Sequence, residues 1–78
     1  MIDDSHIKKH SIVIYGHSTS ITLENIFWRA LKTIAMQQKK SISQLLMEID
    51  TKRDGNLSSA TRIYVIRYLM KENYNLQK

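Results

Sequence analysis

The chain has 78 residues, no cysteine and no proline, and its twelve Lys and Arg against seven Asp and Glu give a formal net charge of +5. Disulfides, thiolate catalysis and cysteine metal sites are thereby excluded, and a single domain this short buries only roughly 60 % of its unfolded surface, so oligomerisation is expected. The positive charge favours a polyanionic partner such as nucleic acid; the alternative is a basic face that meets only solvent.

Residues 1–10 are polar and of mixed charge and read as a mobile N-terminal arm. They contain no apolar run of the kind a signal peptide needs, and no stretch of the chain is long and apolar enough to span a membrane, which points to a cytoplasmic protein. His6 and His10 stand at a helical metal-ligand spacing, but no further ligand lies close by, so neither a metal nor a cofactor is expected. Residues 11–78 read as one folded domain.

Residues 11–23 hold the β signal. "SIVIY" is rich in β-branched residues, and "STSITL" alternates, with Thr19, Ile21 and Leu23 on one face and Ser18, Ser20 and Thr22 on the other. From Glu24 the period changes: Phe27, Ala30, Leu31, Ile34 and Ala35 make one buried helical stripe, which Lys39 and Lys40 close. Ser41 followed by Gln44 is a capping-box pattern opening a second helix with Ile42, Leu45, Leu46 and Ile49 behind it. Residues 50–56, "DTKRDGN", form a break in which Gly55 suits a positive φ. Asn56 or Ser58 can cap a third helix. Its Leu57, Ala60, Ile63, Tyr64, Ile66, Leu69 and Met70 are spread widely enough to predict burial on more than one side.

One strand region followed by three helices cannot satisfy its own strand backbone, so a second copy of the chain is the economical source of a partner strand. In this order the chain resembles the ribbon-helix-helix superfamily of small bacterial and phage DNA-binding proteins over residues 16–50. "GHSTSITLE", "FWRAL", "SISQLLMEID" and "GNLSSATR" are similar to a bacterial subgroup with an added C-terminal helix. The resemblance implies a mainly α fold with a short β-ribbon: a ribbon-helix-helix dimer with an extra third helix.

It also implies a site. In the superfamily the outward side chains of the paired strands read base edges in the major groove, which by position are Ser18, Ser20 and Thr22. The dimer core would comprise Thr19, Ile21, Leu23, Phe27, Leu31, Ile34, Leu45, Leu46 and Ile49. The start of the second helix would clamp a phosphate through Ser41 and Ser43, with Lys39 and Lys40 just before them. The implied partner is duplex DNA, and the implied role is transcriptional regulation. Many members carry an Arg, Lys, Asn or Gln on the reading face, whereas the three positions here carry only hydroxyls, which discriminate less between bases.

A straight strand over residues 11–23 would put Ile12 and Ile14 beside the hydroxyl readers. A turn at Gly16-His17, with Gly first as in a type II′ turn, would instead pair Ile14 with Thr19 and Ile12 with Ile21. A dimer built that way would have a four-stranded sheet, too broad for a groove that admits two strands. Either Gly16 is only a kink and "SIVIY" packs elsewhere, or the dimer does not read DNA in the superfamily manner.

Trp28, about 100° round the helix from Phe27, reads as the edge of the core. Arg62 is expected to pair with Asp50 or Glu48, and His17 to be a turn or strand hydrogen-bonder. No Ser-His-Asp spacing, paired carboxylates or phosphate-cradling glycine loop is present, so the chain is not expected to be an enzyme. The alternative to DNA binding is a dimeric protein-interaction module, antitoxin-like or adaptor, docking a partner through its third helix.

Overall fold

The computed structural model describes residues 4–52 and 55–76. Two antiparallel strands, β1 (Ile7–Ile14) and β2 (His17–Glu24), form a hairpin, and three helices follow: α1 (Asn25–Gln37), α2 (Ile42–Lys52) and α3 (Leu57–Leu76). The expected order of a short ribbon and three helices is therefore the order observed. Residues 1–3 of the expected arm, and Arg53 and Asp54 of the expected break, lie outside the described residues.

The source of the partner strand differs from expectation. Residues 7–10, read as the end of a mobile arm, are the first half of β1, which pairs with β2 from Ile7 opposite Glu24 to Ile14 opposite His17. The strand thus finds its hydrogen-bonding partner within the chain. The turn is Tyr15-Gly16 rather than Gly16-His17. Both residues have positive φ, 53° and 78°, as a type I′ hairpin turn requires, and Gly takes the second position at no steric cost. A left-handed tyrosine costs roughly 1–2 kcal/mol. Its hydroxyl recovers part of that by sharing a 2.7 Å hydrogen bond with Thr51 Oγ1, which ties the hairpin tip to α2. Ile12 accordingly lies opposite Thr19, and His10 opposite Ile21.

Directly opposed residues share a face, so Ile12, Ile14, Ile21 and Leu23 point together onto the helices and are buried. Leu31, Ile34 and Ala35 of α1, Leu45, Leu46 and Ile49 of α2 and Val65 of α3 complete the core. Of the residues expected in a dimer core, Ile21, Leu23, Leu31, Ile34, Leu45, Leu46 and Ile49 are buried in the core of this chain. Phe27 is partly buried against them, and Thr19, beside the hairpin tip, is exposed.

The helix ends follow local chemistry. Lys39, with φ 59°, takes the left-handed position after α1. Its N–H donates to Met36 O, and that of Lys40 to Ala35 O, a Schellman closure. Ser41 and Gln44 form the expected capping box: Gln44 N–H donates to Ser41 Oγ at 3.1 Å and Ser41 N–H to Gln44 Oε1 at 2.9 Å. Asn56 caps α3 by accepting from Ser59 N–H, and Gly55 has φ 98°. The break is shorter than expected, because α2 runs on through Lys52.

α3 departs most from its expected pattern. Its inward stripe is Leu57, Thr61, Tyr64, Val65 and Tyr68, with Thr61 and Val65 fully buried, while Ile63, Ile66, Leu69 and Met70 are exposed on the other side. Polar stitches hold it to the rest. Gln38 Nε2 donates to Tyr64 Oη, and Tyr68 Oη donates to Gln37 Oε1. Arg62 pairs with Glu24 at 2.8 Å, not with Asp50 or Glu48, because it lies over the β2–α1 junction.

Candidate nucleic-acid interface

The outer face of the hairpin is set by the ladder register. Lys9 lies opposite Thr22, Ser11 opposite Ser20 and Val13 opposite Ser18, and all six are exposed. Ser18, Ser20 and Thr22 thus stand on the side that alternation assigns them, away from the helices. Beside them stand three residues of β1 that the sequence reading left out. Lys9 supplies the cation that the three hydroxyl positions lack. The only signal for it was its two-residue spacing from Ser11 and Val13, hidden inside a segment whose composition resembled an arm.

A shallow hollow of about 740 Å³ wraps the edge of the hairpin, with Ile12 and Thr19 of the inner face in its lining as well as outer-face residues. Lys9, Ser11, Val13, Ser18 and Ser20 line it, and it reaches Trp28 on α1 and Ile42 and Ser43 at the start of α2. Two of the expected base-facing residues therefore share one surface with one residue of the expected phosphate clamp. Thr22 is the next exposed position along the ladder. Lys39, Lys40 and Ser41 lie outside the hollow, and Lys40 borders a separate one with Tyr15, Gln44, Met47, Glu48 and Thr51.

At the start of α2 the cap leaves the Ile42 and Ser43 N–H groups at the positive end of the helix dipole, where an anion is stabilised. The two lysines before it are not equivalent. Lys40 Nζ is 2.6 Å from Glu48 Oε2, so an incoming phosphate must compete with a carboxylate for it. Lys39 is exposed, and among the described residues it takes no ion pair.

His10 occupies the inner face of β1 and stacks on Trp28 with ring centroids 3.8 Å apart and planes 8° from parallel. Trp28 is thus a core edge, as expected, with the added task of clasping the hairpin. His6 is exposed, and among the described residues no cluster of three or more His, Asp or Glu is arranged to hold a metal. Burial, and then the charges of Lys8 and Lys32, hold the His10 imidazole below its ordinary range. Below about pH 6.5 the unfolded chain binds this proton more readily than the folded one, so stability is full above that pH and falls as the pH drops toward the lowered folded value. His10→Phe keeps a ring on Trp28 and removes the titration. Urea midpoints measured at about pH 7.5 and about pH 5.5 should fall further for the wild type than for His10→Phe. Equal drops would show that His10 does not contribute.

Glu24 is held below the usual carboxylate range, chiefly by its hydrogen bond from Arg62. The charge at the end of the outer face is thereby drawn toward α3.

A family model described as a ribbon-helix-helix domain matches residues 7–69. Among solved structures, the fold is similar to that of an uncharacterized protein from Bordetella pertussis Tohama I, with a TM-score of 0.78 and 23 % identity over 92 % of this chain and 62 % of that one. At that identity the likeness concerns the fold alone, and this chain spans less than two thirds of that protein's length. No curated relative matches. No helix among the described residues is long and apolar enough to cross a membrane.

Proposed function

The chain belongs to the ribbon-helix-helix domain family, and from that premise we propose that it is a DNA-binding transcriptional regulator, acting as a homodimer, that inserts a β-ribbon into the major groove. The observation that carries this reading is the shared surface of Ser18, Ser20 and Ser43, which joins the exposed ribbon face to the start of α2. Ser18, Ser20 and Thr22 face base edges, while Lys39, Ser41 and Ser43, with Lys40 when it leaves Glu48, hold a backbone phosphate. The basic balance of the chain favours the same polyanion.

Selection of duplexes from a random pool by the purified protein, followed by affinity measurement across salt concentrations, tests the reading. Replacing Ser18, Ser20 and Thr22 together by Ala should leave the fold intact and lower the preference for the selected duplex, at about 1 kcal/mol for each hydroxyl that bonds a base edge. Replacing Lys39 and Lys40 by Ala should weaken binding to all duplexes and flatten the slope of log affinity against log salt by roughly 0.9 for each phosphate no longer neutralised. A wild-type protein without salt-dependent affinity for duplex overturns the reading.

The exposed side of α3 favours a second reading as a protein-interaction module. Ile63, Ile66 and Met70 recur at i, i+3 and i+7 and are joined by Leu69, a larger aliphatic patch than scattered surface residues make. This stripe is also a surface open to a second copy. Ile63→Glu with Ile66→Glu should convert a sedimenting species of twice 9.2 kDa into one of 9.2 kDa. A wild type that sediments as a dimer and binds no duplex would favour the interaction-module reading.

A further inference from the structure

The exposed stripe of α3 is continuous with a groove of about 350 Å³ between α2 and α3, lined by Ile49, Ala60, Ile63 and Tyr64 together with the cations Lys52 and Arg67. A second hollow on α3, of about 290 Å³, shares Ile63 and Arg67 with it and runs on to Ile66. The exposed Leu69 and Met70 carry the apolar surface further along the helix. A strip with apolar anchors at i, i+3 and i+7 beside a groove has the form of a seat for an amphipathic helix.

Its charge lies along one border. Arg67 and Lys71 follow Ile63 by four and eight positions, which puts them about 40° and 80° round α3 from it, while Ile66 and Met70 lie on the other side of Ile63. Arg67 and Lys71 are exposed, and among the described residues neither they nor Lys52 take an ion pair. The other charges about the strip are engaged or turned away. Lys40 holds Glu48 of the groove lining, Glu24 holds Arg62 on the opposite border, and Glu72 stands about 180° round the helix from Ile63. The border toward α2 is therefore positive.

We infer that this strip docks an acidic amphipathic helix of another protein, with apolar side chains on Ile63, Ile66 and Met70 and carboxylates on Lys52, Arg67 and Lys71; this rests on the protein-interaction reading above and gives it a partner class. A second copy is the poorer occupant. In an antiparallel pair of α3 helices a two-fold axis keeps both basic borders on the same side, so Arg67 and Lys71 meet their own counterparts. In a parallel pair each basic border meets the one that carries Arg62, whose carboxylate partner is already taken. Neither arrangement supplies the free carboxylates that complementarity asks for, and an acidic helix does.

The test uses the full chain and three fluorescein-labelled peptides of about 18 residues, long enough for partial helicity in isolation. The first repeats Leu at i, i+3, i+4 and i+7 with Glu along one flank, the second has Lys in place of each Glu, and the third has Ser in place of each Leu. Fluorescence anisotropy should show the first binding at least about 10-fold more tightly than either of the others. Arg67→Glu with Lys71→Glu should reverse the order of the first two, a change that an unselective apolar patch does not make. Ile63→Ser with Ile66→Ser should weaken the first peptide by at least about 10-fold. Circular dichroism checks that each variant is folded. If the Lys peptide binds the wild type as tightly as the Glu peptide, or the charge reversal leaves their order unchanged, the basic border selects no partner and the inference fails. If no peptide binds while Ile63→Glu with Ile66→Glu still splits a dimer, the stripe is an interface between copies, and the inference fails with the interaction-module reading intact. If no peptide binds and that variant leaves the sedimenting species unchanged, both fail.

Discussion

Ile21→Asp should leave the chain unfolded at every concentration. Ile21 is 2 % exposed on the inner face of β2, enclosed by side chains from the hairpin and the helices. The substitution removes the roughly 1.5–3 kcal/mol that burial of an isoleucine contributes and buries a carboxylate, whose effective desolvation penalty is several kcal/mol. The residue across the ladder is His10, whose imidazole is stacked on Trp28 and held below its ordinary pKa range, so at neutral pH it is a poor counter-ion. Domains carry about 5–15 kcal/mol in all, and one of this size lies toward the lower end. The helical circular dichroism signal should be absent from micromolar to millimolar protein. Recovery of that signal at high concentration would mean that a second chain completes this core, contrary to the closed core described above.

Trp28→Ala should cost about 3 kcal/mol, the low end for deletion of a large aromatic, because Trp28 is only partly buried. Its ring lies on His10 and borders both the core and the hollow over the hairpin. The deletion should therefore loosen β1 more than the helices. Urea unfolding followed by circular dichroism gives the loss directly and does not depend on the fluorescence that the substitution removes. A double-mutant cycle with His10→Ala should show a coupling of about 0.5–1.5 kcal/mol for the stacked pair. A coupling near zero would show that the two rings touch without holding each other.

The parts of this protein legible in its sequence are those governed by short-range periodicity. Ser18, Ser20 and Thr22 point outward while Ile21 and Leu23 point inward because strand side chains alternate whatever lies on the next strand. Ser41 and Gln44 close a capping box because both groups lie within one helical turn. The stripes of α1 and α2 follow from the 3.6-residue repeat. In α3 the same repeat misleads at one residue: Thr61, a polar residue fully buried in mid-stripe, hides the face that also carries Val65, and the more conspicuous isoleucines prove to be on the exposed side.

The pairing partner of β2 depended on tertiary structure. Ile7, Lys8 and Lys9 are exposed, so the first half of β1 has no buried alternation to betray it, and only the hydrogen-bonding demand of β2 together with the Tyr15-Gly16 turn draws it into a strand. The same holds for Arg62 and Glu24, 38 residues apart in sequence, and for Tyr15 and Thr51, 36 apart. By itself, then, the sequence determined that three helices follow the strand, how the second is capped and which side of β2 is polar, because those depend on neighbours within a few residues. The fold alone decided that β1 pairs with β2 and that Lys9 joins the polar face, because register and long-range pairing depend on which surfaces meet when the chain closes on itself.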